Sequence, residues 1–183
     1  MEKALHVGLI YGSTREGRFC DTVAKWAAQR IAANAGFSVE LIDPALLDRG
    51  RDISGIRQRM GACDAFVVVT PEYNHGYPAP LKSLIDSVGT EWYAKPVAFV
   101  SYGGVSGGLR AVEQLRLVFA ELHAVTIRDS VSFAGAWEQF DESGALLNPD
   151  RAEHSMETML NRLQWWALAL RSARRAIPYA HTY

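Results

Sequence analysis

Cysteine is scarce in this chain, and the scarcity excludes two classes of protein. Cys20 and Cys63 are the only two in 183 residues, too few for a disulfide framework or a zinc set. Net charge is nearly absent as well: 19 Lys and Arg against 20 Asp and Glu leave −1 at pH 7, which gives no broad field to hold DNA, RNA or an anionic membrane. No apolar run approaches the length of a membrane span. Met1-Glu2-Lys3-Ala4 opens the chain without the apolar segment of a signal peptide, so a cytoplasmic protein is expected. Repeats, low-complexity tracts and linkers are missing too, which leaves one domain over residues 1–183. Nowhere do His, Asp and Glu gather into a metal or general acid–base array. The expected partners are small molecules, with no nucleic acid and no membrane.

What is present is an alternation of short β-rich runs with helical periodicity. Residues 5–11, 37–42, 65–70 and 97–102 are compact runs rich in Val, Ile and Phe, bounded by Gly, Pro or Asp, and read as buried strands. A fifth lies within residues 125–133. Val23, Trp26, Ala27, Arg30 and Ile31 mark a first helix, and residues 53–61 a short second one. Leu81, Leu84, Ile85 and Val88 mark a third; Leu109, Val112, Leu115, Val118, Phe119 and Leu122 mark a fourth. Met156, Met159, Leu160, Leu163, Trp166, Ala167 and Leu170 follow Asn148-Pro149-Asp150 at three- and four-residue spacing and predict a long last helix. Such alternation requires βαβ crossovers, hence a parallel sheet with helices on both faces. The expected fold is α/β: a three-layer, doubly wound, five-stranded flavodoxin-like sheet of strand order 2-1-3-4-5, since a barrel takes roughly 250 residues. Ligands of such sheets sit beyond the carboxyl ends of the strands, so the loops after the first, third and fourth strands should meet over one ligand.

Each of those loops is unusual. Gly12-Ser13-Thr14-Arg15-Glu16-Gly17-Arg18 stands between the first strand and a helix start near Phe19. Main-chain N–H groups and the positive end of a helix dipole converge at such a place, hydroxyls at Ser13 and Thr14 add donors, and Arg15 and Arg18 add guanidinium forks. The expected ligand carries a phosphate. After the third strand, Pro71, Pro78 and Pro80 with Gly76 are expected to hold residues 70–80 in a fixed path that leaves the backbone donors free. After the fourth, Gly103, Gly104, Gly107 and Gly108 let a ring approach the main chain, and Tyr73 and Tyr102 could stack on a flat heterocycle.

These residues resemble the NAD(P)H-dependent FMN reductase family. The resemblance rests on Gly-Ser-x-Arg after the first strand, on Pro71-Glu72-Tyr73-Asn74-His75-Gly76-Tyr77-Pro78 with Leu81-Lys82 and Ile85-Asp86 beyond it, and on the Gly-rich loop after the fourth strand. It covers residues 7–122, and residues 125–183 match in general layout. It implies FMN as cofactor, NADPH or NADH as electron donor, and free flavin, a quinone or a similar small molecule as acceptor. It also implies phosphate contacts at Ser13, Thr14 and Arg15, main-chain contacts to the isoalloxazine edge at Pro71, Glu72, Tyr73 and Asn74, and flanking of the ring by Gly103, Gly104 and Ser106. The candidate set further holds Gly12, Arg18, Phe19 and Cys20 from the first loop and Ser101, Tyr102 and Gly107 from the fourth. For Glu72 only the backbone is expected to matter, its side chain reading otherwise as a solvated charge. Arg18 and Cys20 depart from the serine and asparagine of many members. Arg18 can reach the phosphate or solvent, and Cys20 near a helix N-terminus would have a lowered pKa, although packing is its favoured role. No catalytic acid or base is implied, because the hydride passes at flavin N5. Trp165-Trp166 on the last helix suit core packing or self-association as a homodimer or tetramer.

Three rivals come from other classes. Gly104-Val105-Ser106-Gly107-Gly108 formally matches the serine-hydrolase elbow, with Asp129 or Asp141 and His154 or His181 following in order. Gly12 to Gly17 has the glycine spacing of a P-loop, but Arg18-Phe19 stand where Lys and Ser or Thr are required. A flavodoxin-type electron carrier would share the three loops, but such carriers usually gather acidic charge for docking, and this chain is nearly neutral.

Overall fold

The computed structural model describes residues 4–46 and 53–179. Its frame is a five-stranded parallel sheet in the order β2-β1-β3-β4-β5, as the alternation predicted. The strands are β1 (Leu5–Tyr11), β2 (Phe37–Ile42), β3 (Ala65–Pro71), β4 (Pro96–Gly103) and β5 (Val125–Ala134). Between and after them come α1 (Cys20–Ala33), α2 (Ile53–Ala62), α3 (Ala79–Asp86), α4 (Leu109–Glu121) and α5 (Asp150–Ala176).

The pleat sorts the apolar side chains onto two faces. Ala65, Val67 and Val69 of β3 point toward α1 and α5, where they meet Val23, Ala27, Met159 and Leu163. Phe66 and Val68 point the other way, toward Met60 of α2, Leu81 and Ile85 of α3, and Leu115 and Phe119 of α4. Every residue of β3 and β4 is buried, which is why both read as near-continuous apolar runs rather than alternating ones. Burial of each large side chain contributes about 1.5–3 kcal/mol. The predicted strand limits hold to within a residue or two, whereas α5 runs six residues beyond the last predicted stripe residue, Leu170. The stripe on α5 continues one step past the predicted Leu170, to a buried Arg171 that pairs with Asp64 at 3.2 Å just ahead of β3. Because all five strands run parallel, the loops after β1, β3 and β4 leave from one end of the sheet.

Candidate functional site

The loop after β1 begins with a close crossing. Gly12 N–H donates to Val69 O at 2.7 Å, and a Cβ on Gly12 would stand 2.5 Å from that same oxygen, so a side chain here would push β1 and β3 apart. Ser13 is buried, and its hydroxyl meets the Tyr73 hydroxyl at 2.9 Å. The Arg15 guanidinium lies over the Tyr73 ring, 3.6 Å from its centroid. Among the described residues no acceptor engages the main-chain N–H groups of Thr14, Glu16 or Gly17.

Arg18 takes neither of its two expected directions. Its guanidinium grips Asp43, just beyond β2, at 2.8 and 2.5 Å, bonds Asp21 at 2.8 Å through Nε, and donates to Ser13 O. The Asp43 hydrogen bonds, with those of Asp21, hold its pKa above the ordinary value against the pull of burial. Arg18 is therefore a brace that ties the loop to the end of β2. Phe19 packs on Tyr102, Phe140 and Trp137, with ring centroids 5.9, 5.6 and 6.5 Å away. Cys20 corrects the expectation of a lowered pKa. Its thiol is buried against Val69 O, and desolvation pushes it up, outweighing the opposing hydrogen bonds of Tyr102 and of the Gly12 and Ser13 main chain.

The loop after β3 is shaped by a turn rather than by its prolines. Tyr73 N–H donates to Gly76 O at 2.9 Å and Gly76 N–H returns to Tyr73 O at 3.1 Å, with Asn74 and His75 between them at φ of 51° and 68°. With Glu72 N–H donating to Tyr102 O at 3.3 Å, three donors expected to be free are thus engaged. Those of Asn74 and His75, at the tip, have no acceptor among the described residues. Gln114 of α4 pins the tip by donating to His75 O at 2.9 Å.

Glu72 overturns its expected role. Its side chain is only 7 % exposed; it accepts Ser106 Oγ at 2.6 Å, Arg110 N–H at 3.1 Å and Arg110 Nη1 at 2.8 Å. Burial alone would push this carboxyl up, but those hydrogen bonds prevail and leave its pKa below the usual range. The carboxylate clamps the loop after β3 to the loop after β4. Arg110, Gln114 and Asp43 lay outside the candidate set. The signal for Arg110 was its place two positions after the Gly-rich run, at the start of α4.

In the loop after β4, Gly107 and Gly108 adopt φ of 60° and 84°, and a Cβ on Gly107 would stand 2.3 Å from Ser132 Oγ. Ser101 is buried and donates to Gly107 O at 2.8 Å. Tyr102 is buried beneath Phe19, so its ring is part of the floor and offers no stacking face. Above Gly104 there is open space: a Cβ there would meet nothing within 4 Å. The loop after β5 joins in, with Gly135 N–H donating to Gly104 O at 3.0 Å.

Three loops expected to meet are thus joined: the first to the second by Ser13, Arg15 and Tyr73, the second to the third by Glu72, Ser106 and Arg110. The NADPH-dependent FMN reductase family matches this chain over residues 5–138. The chain belongs to that family. An NAD(P)H-dependent FMN reductase of Schizosaccharomyces pombe is 36% identical over 117 residues, a stretch covering 55% of this chain and 58% of the yeast protein. A rice protein, from Oryza sativa subsp. japonica, named "Probable NADPH:quinone oxidoreductase 2" is 32% identical over 187 residues, covering 92% of this chain and 91% of that one. Among solved structures, FerB, a flavoenzyme NAD(P)H:(acceptor) oxidoreductase of Paracoccus denitrificans, superposes with a TM-score of 0.74 at 20% identity. It covers 91% of this chain and 98% of its own, and at that identity the likeness speaks for the fold.

In this FMN reductase family member the hydrolase elbow has no triad among the described residues. Ser106 Oγ donates to a carboxylate rather than an imidazole. Asp129 and His154 line a cleft of about 800 Å³ beside β5 that Ser106 does not share, Asp141 binds its own loop at Ser143 and Ala145, and His181 lies outside the described residues.

Proposed function

We propose that residues 1–183 work as one FMN-binding unit that takes hydride from NADPH or NADH and passes electrons to a diffusible acceptor such as free flavin or a quinone. As a member of its family the chain is an FMN-dependent NAD(P)H oxidoreductase. The observation that carries the proposed site is the joining of three switch-point loops around unengaged donors: Thr14, Glu16 and Gly17 in the first loop, Asn74 and His75 in the second, and open space over Gly104 in the third.

That set fits a flat ring with an anionic tail. Arg15 and the N–H groups of the first loop would hold the phosphate, Ser13 and Thr14 adding hydroxyls. The main chain of Pro71, Glu72, Tyr73 and Asn74 would meet the ring edge, and Gly103, Gly104 and Ser106 would flank the ring. Gly12, Arg18, Phe19, Cys20, Ser101, Tyr102 and Gly107 act from behind, by fixing the loops that make contact. When bound, FMN supplies the hydride-accepting centre. The chain need supply no acid or base; donors held in place by the Tyr73–Gly76 turn favour negative charge at the ring edge without reorganising. Val105, 98 % exposed, and the exposed Trp137 rim the site and leave a side open to a flat acceptor.

Mixing the purified protein with NADPH under anaerobic conditions should bleach a bound visible flavin band, and readmitting a quinone should restore it. If neither NADPH nor NADH bleaches the band, the electron-carrier reading replaces this one.

A further inference from the structure

Asp64, just ahead of β3, pairs with two cations of α5: Arg171 at 3.2 Å and Arg174 at 3.8 Å. It also accepts the His6 N–H at 3.0 Å. Close by, Lys95 is buried just ahead of β4. Its ammonium donates to Met60 O and Gly61 O, both at 3.0 Å, at the carboxyl end of α2. Among the described residues no carboxylate comes within 4 Å of it. The negative end of the α2 dipole compensates part of that charge. A buried ammonium without a counter-ion is nonetheless a costly arrangement, and burial together with the neighbouring Arg174 pulls its pKa down to about 8.

A cavity of about 370 Å³ opens directly onto this cluster, at the low end of small-molecule sites. Arg57, Lys95 and Arg174 supply its three cationic walls against one acid, Glu91, which is itself turned to the Gly89 N–H at 2.8 Å. Arg57 has no carboxylate partner among the described residues; its Nε bonds Ser87 O at 3.1 Å. Tyr93, anchored against His123 and Tyr179 with ring centroids 4.9 and 5.7 Å away, forms an aromatic wall. The cavity lies at the amino ends of the strands, the opposite pole from the three loops.

We propose that this cavity is a second anion site, built for a phosphate or diphosphate group and separate from the cofactor. Arg57 and Arg174 line it with guanidinium groups, Arg174 also donating to Ala94 O, and the anion would add contact charge at Lys95, on which Asp64 and Glu91 act only from a distance. The oxyanion is free phosphate or the phosphate end of a small metabolite; the shared chemistry is recognised by the same three cations.

Isothermal titration of the purified protein, preincubated with excess FMN, with orthophosphate, pyrophosphate and adenosine 5′-monophosphate tests this. Saturable binding is expected, weakened about tenfold to a hundredfold by Arg57→Gln, an exposed and structurally mild change. Lys95→Met should abolish it. If that variant fails to fold, Arg57→Gln alone decides. Tighter binding of the nucleotide than of orthophosphate identifies a metabolite as the source, and equal binding identifies the free ion; both support the site. Binding that survives Arg57→Gln but disappears in Arg15→Ala would place the anion in the loop after β1 and overturn the proposal, as would no saturable binding of any of the three. Since the readout is anion affinity, failure of the oxidoreductase assignment would leave it untouched.

Discussion

Arg15 and Arg18 stand three positions apart in one loop, and residue type alone assigns both to phosphate. The fold separates them: Arg15 rests on Tyr73, whereas Arg18 is enclosed by Asp43 and Asp21. Arg15→Ala should weaken FMN binding by about 1.5–3 kcal/mol with unchanged unfolding. Arg18→Ala should instead lower stability by about 1–3 kcal/mol, because Asp43 loses its bidentate partner. Equilibrium dialysis and urea unfolding on the pair of variants separate the two roles; equal losses of cofactor affinity would contradict them. Glu72 makes the same point with a carboxylate. Glu72→Ala leaves Ser106 and Arg110 without their acceptor and should destabilise the fold by about 1–3 kcal/mol, read from the urea midpoint. With a folded pKa below that of the unfolded chain, Glu72 contributes stability above its unfolded value that is lost as pH falls through the folded one. The acid limb of the stability curve should therefore flatten in Glu72→Ala.

At the scale of elements, β3 and β4 were legible because a run buried on both faces has to be apolar throughout, and the helices because their stripes repeat near 3.6 residues. The loop shapes were not, since they depend on what packs underneath. Gly107 and Gly104 illustrate this within one loop. Gly107→Ala combines a left-handed φ with a clash against Ser132 Oγ and should destabilise by about 1–3 kcal/mol, whereas Gly104→Ala meets open space and should leave thermal unfolding nearly unchanged while weakening FMN binding. Full FMN affinity in Gly104→Ala would remove Gly104 from the site. The junction of α2 and β4 gives a pH prediction. Lys95 releases its proton near pH 8 in the folded chain and near 10.5 when unfolded, so above pH 8 the unfolded state binds more protons and rising pH stabilises the fold. The full effect is about 3 kcal/mol. Cys63, with its thiol pushed up to about 12, works in the opposite sense above pH 9. The comparison therefore belongs at pH 8–9, where Lys95→Met should show a shallower rise of stability with pH than the parent.

For the whole molecule, a cofactor that binds only the folded chain must raise its stability. Free FMN at a hundred times its dissociation constant should add about 2.7 kcal/mol, read as a shift of the thermal midpoint, and no shift would count against a preformed site. Trp165, 63 % exposed on α5, is the residue on which we place self-association, and light scattering of Trp165→Ala should report a smaller species than the parent. The periodicities and loop chemistry of the linear chain were sufficient for the layer order and the strand sequence, because these follow from nearest-neighbour geometry and burial, and they name the end of the sheet at which we propose the ligand sits. Partnership was settled by folding alone. Arg18 finds Asp43 across 25 positions, Glu72 finds Arg110 across 38, and Arg171 finds Asp64 across 107. A charge's role is set by which opposite charge packing brings within reach, and that is a property of three dimensions.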